Sequence, residues 1–196
     1  MRTKPLQHRA HESREQILTA AAQLFAEQGV AGTSTNKIAA RAHLSIGSLY
    51  RYFADKQQIV DELRQRLMAD LEESFTAAVV SAIALPPEEG VVVGLREVTR
   101  TLADRRELVL ALIGQISVGD SAFVTSMERR LILLTRAYLL HVLGHDEGID
   151  VRAYLMVTVG LATSLRIGLQ PPDLDPDELV DETARMLGAW LATARG

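Results

Sequence analysis

One segment, residues 33–56, constrains the fold of this chain more than any other: TSTNKIAARAHLSIGSLYRYFADK. Ser34 or Thr35 can cap a short helix there, because a hydroxyl oxygen accepts a hydrogen bond from the free amides of a first turn. A turn follows at His43, and Ser45 can cap a second helix. The segment therefore predicts two short helices around a tight turn, which is the arrangement of a helix-turn-helix unit.

The second of these helices, running to about Phe53, divides into an inner and an outer side. Leu44, Leu49 and Phe53 point inward at helical spacing. The outer side carries small, hydroxyl and basic groups, which suit a DNA major groove flanked by phosphates. The outer residues are Ile46, Gly47, Ser48, Tyr50, Arg51 and Tyr52.

Helix signals continue along most of the chain, and no segment makes a convincing strand. A capping box at Ser13 and Gln16 opens the first helix, and Gly29 ends it. Asp175 followed by Pro176 marks the start of the last helix. The sequence therefore predicts an all-α fold of about nine helices, with a three-helix helix-turn-helix head at the N-terminus and a helical C-terminal domain.

Residues 90–102 are the weakest of these helices. Three consecutive valines, 91–93, favour strands, and two glycines lower helix propensity. Leu95, Val98 and Leu102 nevertheless recur at helical spacing, so we predict a helix.

Composition and charge narrow the classes of protein. The chain has 196 residues, 47% of them hydrophobic, and no cysteine, which excludes disulfides, thiol catalysis and cysteine-ligated zinc. Residues 1–66 hold 10 Lys and Arg against 6 Asp and Glu, whereas the whole chain carries a net charge of −4. A basic head on an acidic body fits nucleic-acid binding, although it also fits an ordinary acidic protein with a solvated arm. With no secretory signal and no apolar run long enough to cross a bilayer, we expect a cytoplasmic protein.

The N-terminal third of the chain resembles the TetR family of bacterial transcriptional regulators. The resemblance departs from the family at His43, where a turn glycine is usual; histidine tolerates a left-handed backbone better than most residues. The matching residues are Ile17, Ala21, Leu24, Phe25, Gly29, Thr33, Ile38, Ala39, Ser45, Gly47, Leu49, Tyr50, Tyr52, Phe53 and Lys56.

The resemblance implies a division of labour among residues of the head. Amide, methyl and hydroxyl groups near the helix starts suit base edges, and tyrosine, threonine and lysine suit phosphate. Alternatively, Tyr52 packs against the first helix, and Lys37 is a plain solvated charge. The implied base contacts are Asn36, Ile46, Gly47 and Ser48, and the implied phosphate contacts are Thr35, Lys37, Tyr50, Tyr52 and Lys56.

Small residues recur every four positions on each of the last two predicted helices. Such stripes let helix backbones approach closely. The TetR resemblance implies that these helices form a four-helix bundle with a second subunit; the alternative is that they pack against each other within one chain. With their bulky neighbours, the predicted interface residues are Gly160, Leu161, Ser164, Leu165, Gly168, Ala184, Leu187, Gly188, Leu191 and Ala192.

The resemblance also implies a small-molecule effector whose binding releases the DNA. We expect it among polar or aromatic groups in apolar runs, each of which could equally be an ordinary core residue. The expected divisions are a flexible basic arm (1–12), a DNA-binding head (13–60) and an effector-binding and dimerisation domain (61–196). The candidate pocket residues are Gln115, Phe123, Met127, Tyr138, His141 and Thr158.

The function predicted is a dimeric, ligand-released repressor of a palindromic operator, without cofactor or metal. His141 and His145 are four apart, but Gly144 should end the helix between them, which argues against a shared metal. No phosphate loop or nucleophile elbow indicates an enzyme. The main alternative is a helix-turn-helix protein without any effector, controlled by a protein partner or by its own abundance.

Overall fold

The computed structural model of the chain describes residues 4–113, 121–169 and 173–193, and this part is all-helical, as predicted. No helix within it is long and apolar enough to cross a membrane. The nine helices of these ranges are α1 (Lys4–Gln28), α2 (Thr35–Arg41), α3 (Ile46–Tyr50), α4 (Lys56–Ala82), α5 (Pro87–Asp104), α6 (Arg106–Ile113), α7 (Ser121–Leu143), α8 (Ile149–Leu169) and α9 (Pro176–Ala192).

Some helix boundaries differ from those predicted, most of all at the start of α1. α1 begins at Lys4 and passes through Ser13, so the predicted cap at Ser13 is wrong and the expected arm is helical from Lys4. Pro5 lies in the first turn, where the missing amide hydrogen would have no helical acceptor. α3 ends at Tyr50, one turn short of Phe53. Gly29 ends α1 as predicted, with φ at +74°.

The described residues group into two compact units. The first comprises the residues up to Leu67 together with α6 from Glu107 onward. Its core is formed by fully buried side chains of α1 to α4, among them Ile17, Phe25, Ile38, Leu49 and Ile59. Each of the four helices contributes an apolar face, so the short α2 and α3 are held by tertiary packing, which isolated helices of their length would lack.

An ion-pair network joins α1 to the first turns of α4. Arg66 donates to both carboxylate oxygens of Glu15, at 2.5 and 2.7 Å, and to Glu62 at 2.9 Å. Arg14 pairs with the same Glu62 and lies 5.2 Å from the centre of the Phe53 ring. Because two arginines share one half-buried carboxylate, the network fixes α1 against α4 more firmly than an isolated surface pair.

The network predicts how acid weakens the first unit. The hydrogen bond from Arg66 lowers the pKa of the Glu15 carboxyl below its ordinary 4.5. A group with a lowered folded-state pKa contributes stability that is present above the unfolded pKa and is lost as pH falls through the folded one. We expect the Glu15→Gln variant to be less stable than the parent at neutral pH and to lose less stability below pH 4.5, measured as urea midpoints across this range. Parallel pH profiles for the two proteins would contradict this assignment.

The second unit includes the residues from Met68 to Arg106 and the described residues from Ser121 on. In this unit α5 packs against both α8 and α9, and α7 packs against α8. The glycines of the last two helices lie against α5. A Cβ on Gly168 would lie 2.9 Å from Leu102 Cβ, and one on Gly188 would lie 2.9 Å from Glu88 Cα. Both distances are shorter than ordinary carbon contacts, so the backbones meet only because these residues lack a side chain.

Candidate DNA-binding interface and ligand cavity

The turn between α2 and α3 is fixed by backbone hydrogen bonds. The Leu44 amide donates to the Ala39 carbonyl (2.9 Å) and the His43 amide to the Ala40 carbonyl (3.1 Å), which is the Schellman pattern at a helix C-terminus. His43 occupies its left-handed position, with φ at +56°. The histidine therefore supports the turn that the sequence predicts, although glycine would adopt this φ with less strain.

Serine caps hold the starts of both helices. The Ser34 hydroxyl accepts from the Lys37 amide (3.3 Å), which settles the choice between Ser34 and Thr35. The Ser45 hydroxyl accepts from the Ser48 amide (3.1 Å) and shares a 2.9 Å hydrogen bond with the Ser48 hydroxyl. Ser48 is thereby positioned by the cap beside it.

The outer side of the helix pair is open, as the pattern predicts. Asn36, Gly47 and Arg51 are exposed, Ile46 is 38% exposed, and Tyr50 is 51% exposed. The Tyr50 hydroxyl lies 3.2 Å from that of Thr35, which links α3 to α2. Tyr52 is half-buried, with the Arg51 guanidinium 5.7 Å from its ring centre. The four predicted base-contact residues thus lie on accessible parts of one helix-turn-helix unit, and their contacts stay predictions.

Lys56 has a structural role that the sequence did not indicate. Its ammonium donates to the carbonyls of Val30 (2.7 Å) and Thr33 (2.8 Å) in the α1–α2 connection. Lys37 makes a comparable but exposed pair of bonds, to Gln28 Oε1 (2.8 Å) and the Gly32 carbonyl (2.9 Å). Phosphate contacts by either lysine stay untested, but both ammonium groups already serve backbone carbonyls of this connection.

Substitution separates these two lysines. Lys56→Met keeps the aliphatic stem but leaves two carbonyls without their charged donor, so we expect the unfolding free energy to fall by about 2 kcal/mol. Lys37→Met should change it by less than about 0.5 kcal/mol, because water can replace an exposed donor. Urea unfolding without DNA measures both. A Lys56→Met variant as stable as the parent would show that the ammonium has no structural role.

The second unit contains a mainly apolar cavity of about 90 Å³ between α4, α5, α7 and α8, with Leu187 of α9 also in its lining. Of the predicted pocket residues, Tyr138 lines it. His141 and Thr158 are exposed and do not line it, because each lies on the outer side of its helix. Gln115 and the side chains of Phe123 and Met127 lie outside the described part. Thr135 and Ser164 also line the cavity, and neither was predicted. Thr135 lies in the same apolar run as Tyr138, three residues before it, and this spacing could have indicated that Thr135 faces the cavity too.

Most members of the small-residue stripes are buried within the fold of the single chain, and their place at a subunit interface stays a prediction. Ser164, Gly168, Ala184, Leu187, Gly188 and Leu191 are buried within the single chain. They pack mainly against α5, and α8 also packs against α9, as the alternative above considered. Gly160, Leu161 and Leu165 are half-buried, and Ala192 is exposed. A repeat of small residues indicates that a helix is closely approached, but it does not identify the approaching helix.

The sides of α8 and α9 opposite these stripes are exposed and partly apolar. Leu155 lies nine residues before Ser164, or two and a half turns, and so lies on the opposite side of α8. It is 40% exposed, and Val151, one turn earlier, is 64% exposed. Met186, two residues after the buried Ala184, is 57% exposed. We call Val151, Leu155 and Met186 the outer α8–α9 face.

A short capped helix pair supported by a third helix defines the first unit as a helix-turn-helix head. Residues 17–63 match the family model for bacterial regulatory proteins of the tetR family. The first unit therefore carries the helix-turn-helix domain of the TetR family of bacterial regulators.

Relatives and solved structures extend this similarity. The chain is 32% identical to the HTH-type transcriptional regulator AcrR of Shigella flexneri, over 63% of this chain and 59% of AcrR. It is 37% identical to the HTH-type transcriptional repressor KstR2 of Rhodococcus jostii (strain RHA1), over 36% and 34% of the two chains. These alignments thus span about a third to three fifths of the curated relatives.

Two solved structures share the fold over nearly the whole chain. A TetR/AcrR-family regulator from Thermobifida fusca YX-ER1 has a TM-score of 0.70 at 23% identity, covering 89% of this chain and 96% of that one. A TetR-like regulator from Rhodococcus sp. RHA1 has a TM-score of 0.64 at 26% identity, covering 94% and 97%. The second unit therefore shares its architecture with regulators of this family.

Proposed function

We propose that this protein is a transcriptional regulator that binds operator DNA through α2 and α3. The observation that carries the proposal is the open outer side of α3, held by a fixed turn and a serine cap, with Ile46 and Tyr50 projecting from it. Exposed apolar and hydroxyl groups on a rigid helix suit the thymine methyl and base edges of a major groove. The relatives named as a regulator and a repressor support the same function.

In this proposal Asn36, Ile46, Gly47 and Ser48 contact bases. Thr35, Tyr50 and Tyr52 contact phosphates, and the hydrogen bond between the Thr35 and Tyr50 hydroxyls leaves one of their two hydrogens free to donate. Lys37 and Lys56 act mainly by shaping the α1–α2 connection, with phosphate as a further partner of the exposed Lys37. Phosphate contacts set the register on the duplex, and base contacts read its sequence.

The proposed assembly is a homodimer through the outer α8–α9 face. Its exposed apolar side chains need cover, and a twofold axis would bring the same face from two chains together. Two heads related by such an axis read a palindromic operator whose half-sites lie one helical turn, or roughly 34–36 Å, apart. Dimerisation thus explains why a short head with few base contacts could select a site.

We further propose that the regulator is a repressor released by a small molecule bound in the cavity of the second unit. Such release requires that the ligand bind the DNA-free state more tightly than the DNA-bound one. The cavity, about 90 Å³ against roughly 300–1,000 Å³ for typical ligand pockets, restricts such an effector to a small compound. The alternative is a regulator without an effector. Ligand-dependent loss of operator binding separates the two.

Selection from a pool of random duplexes at fixed physiological salt tests the DNA function. We expect enrichment of an inverted repeat, and tight binding of that duplex relative to a scrambled one. Asn36→Ala or Ser48→Ala should each weaken binding by about 1–3 kcal/mol and relax the preference at one position. Tyr50→Phe is the matched control, because it removes a phosphate donor and should weaken all sequences alike. A pool without enrichment would contradict a sequence-reading head.

A further inference from the structure

The cavity of the second unit has a definite chemical character. Side chains of Val91, Leu95, Leu131 and Leu187 form its apolar walls, and none of the described residues that line it carries a charge. A charged ligand would lose its hydration there without gaining an opposite charge, which costs several kcal/mol. The described lining therefore favours an uncharged guest over a carboxylate, a phosphate or an ammonium compound.

The hydroxyl of Ser164, in the cavity lining, lacks a hydrogen-bond partner among the described residues. Ser164 is completely buried in α8, and its Oγ has no partner within the described ranges of the chain. The hydroxyls of Thr101 and Thr183 behave differently, since each donates to the carbonyl four residues earlier, at 2.9 and 2.7 Å. A buried hydroxyl left unbonded costs free energy, so a partner within the cavity would be favoured.

The cavity walls also leave open space at Gly94. A Cβ built on Gly94, which faces the cavity from α5, meets no atom within 4 Å. The volume of about 90 Å³ is three fifths of the roughly 150 Å³ of an apolar cavity known to hold benzene. The space therefore suits a guest smaller than benzene, of about four or five non-hydrogen atoms.

We propose that the cavity binds a small, uncharged, largely hydrocarbon compound whose single hydroxyl or carbonyl group pairs with Ser164 Oγ. The inference rests on the proposed ligand-release function and specifies the chemistry of its effector. It follows from three features of the cavity lining: neutral walls, the buried Ser164 hydroxyl without a partner, and open space at Gly94.

A series of probes of similar length tests the charge requirement. n-Butanol, butyrate and n-butylammonium are titrated into the full-length protein at neutral pH and followed by NMR. We expect saturable chemical-shift changes of cavity residues with n-butanol and at least tenfold weaker binding of both ions. The ions would lose their hydration in the cavity without gaining an opposite charge, whereas the alcohol is uncharged. Equal or tighter binding of either ion would overturn the proposal, as would the absence of saturable n-butanol binding.

Substitutions test the role of the serine and the location of the guest. Ser164→Ala should weaken n-butanol about fivefold to tenfold but leave n-pentane unchanged, since only the alcohol loses a hydrogen bond. The folded state should tolerate this change, because the hydroxyl removed has no partner. Gly94→Val should fill the space and abolish binding of both probes. Thr158→Val, exposed on the same helix α8, is the matched control and should change neither.

The remaining outcomes separate this inference from the proposed function. Equal losses of n-butanol and n-pentane in Ser164→Ala, or binding that survives Gly94→Val, would overturn the inferred ligand chemistry or its place. Operator binding is measured on the same samples. Selective n-butanol binding without release of DNA would support the ligand class and contradict its role as effector. Normal operator binding by a protein that shows no saturable binding of any probe would overturn the ligand class alone.

Discussion

Replacing Gly188 with valine is expected to lower the unfolding free energy by about 3 kcal/mol or more. A Cβ at this position would lie 2.9 Å from both Cα and Cβ of Glu88, so the first atoms in conflict include backbone of α5. A flexible side chain could turn aside, but a helix backbone has to shift, and α9 packs along α5 through buried Ala184 and Leu191. The strain therefore spreads through the core of the second unit.

Urea unfolding at several protein concentrations measures this effect and identifies the partner of α9. Because Gly188 meets α5 of its own chain, the stability difference should be independent of concentration. Gly94→Ala is the matched control, because Gly94 lies in α5 and an added Cβ there meets no atom within 4 Å. Alanine favours a helix over glycine by about 1 kcal/mol, so this variant should not be destabilised. If the Gly188→Val protein were as stable as the parent but altered in dimerisation, Gly188 would lie at a subunit interface and not against α5 of its own chain.

Arginine at both Leu155 and Met186 is expected to dissociate the proposed dimer. Each apolar side chain buried at an interface contributes about 1.5–3 kcal/mol, and a twofold axis counts each substitution twice. The loss should exceed about 5 kcal/mol, which is several thousandfold in the dimer dissociation constant. Operator affinity should fall by more than about a hundredfold with it, because a single head keeps only half of the contacts.

Sedimentation at micromolar concentration and operator binding on the same samples measure these losses. The folded monomer should survive, since both positions are exposed in the single chain. Val80→Arg, at a site 63% exposed near the end of α4, is the control and should remain dimeric. If the double variant stayed dimeric while Val80→Arg dissociated, the subunits would meet through another face.

Local signals in the sequence predicted most helix boundaries of the described residues. Ser45 and Asp175 cap α3 and α9 as expected, because a cap depends on a side chain and amides two or three residues away. Residues 90–102 lie within α5 despite their valines, since Val91 and Leu95 gain burial from a helical face. The start of α1 was wrong because Ser13 satisfies the capping rule and nothing local shows that the helix continues past it.

The candidate site was less predictable wherever it depended on which helices meet. The repeat containing Gly168 and Gly188 indicates close approach, but only the fold shows that α5 is the neighbour. The pocket prediction placed His141 and Thr158 by their chemistry alone, and their helices turn them outward. Lys56 resembled a phosphate contact, yet its acceptors lie 23 and 26 residues away in sequence, beyond the reach of any local pattern.

The backbone-defined turn at His43 has a consequence for changing the specificity of the head. The angle between α2 and α3 is set by amides, carbonyls and serine caps, while Asn36, Ile46 and Gly47 stand outside the buried core. Substitutions at exposed positions away from such features usually change stability by less than about 0.5 kcal/mol. A library randomised at these three positions should therefore yield mostly folded chains, and the same scaffold could be retargeted to new DNA sequences without redesign of its interior.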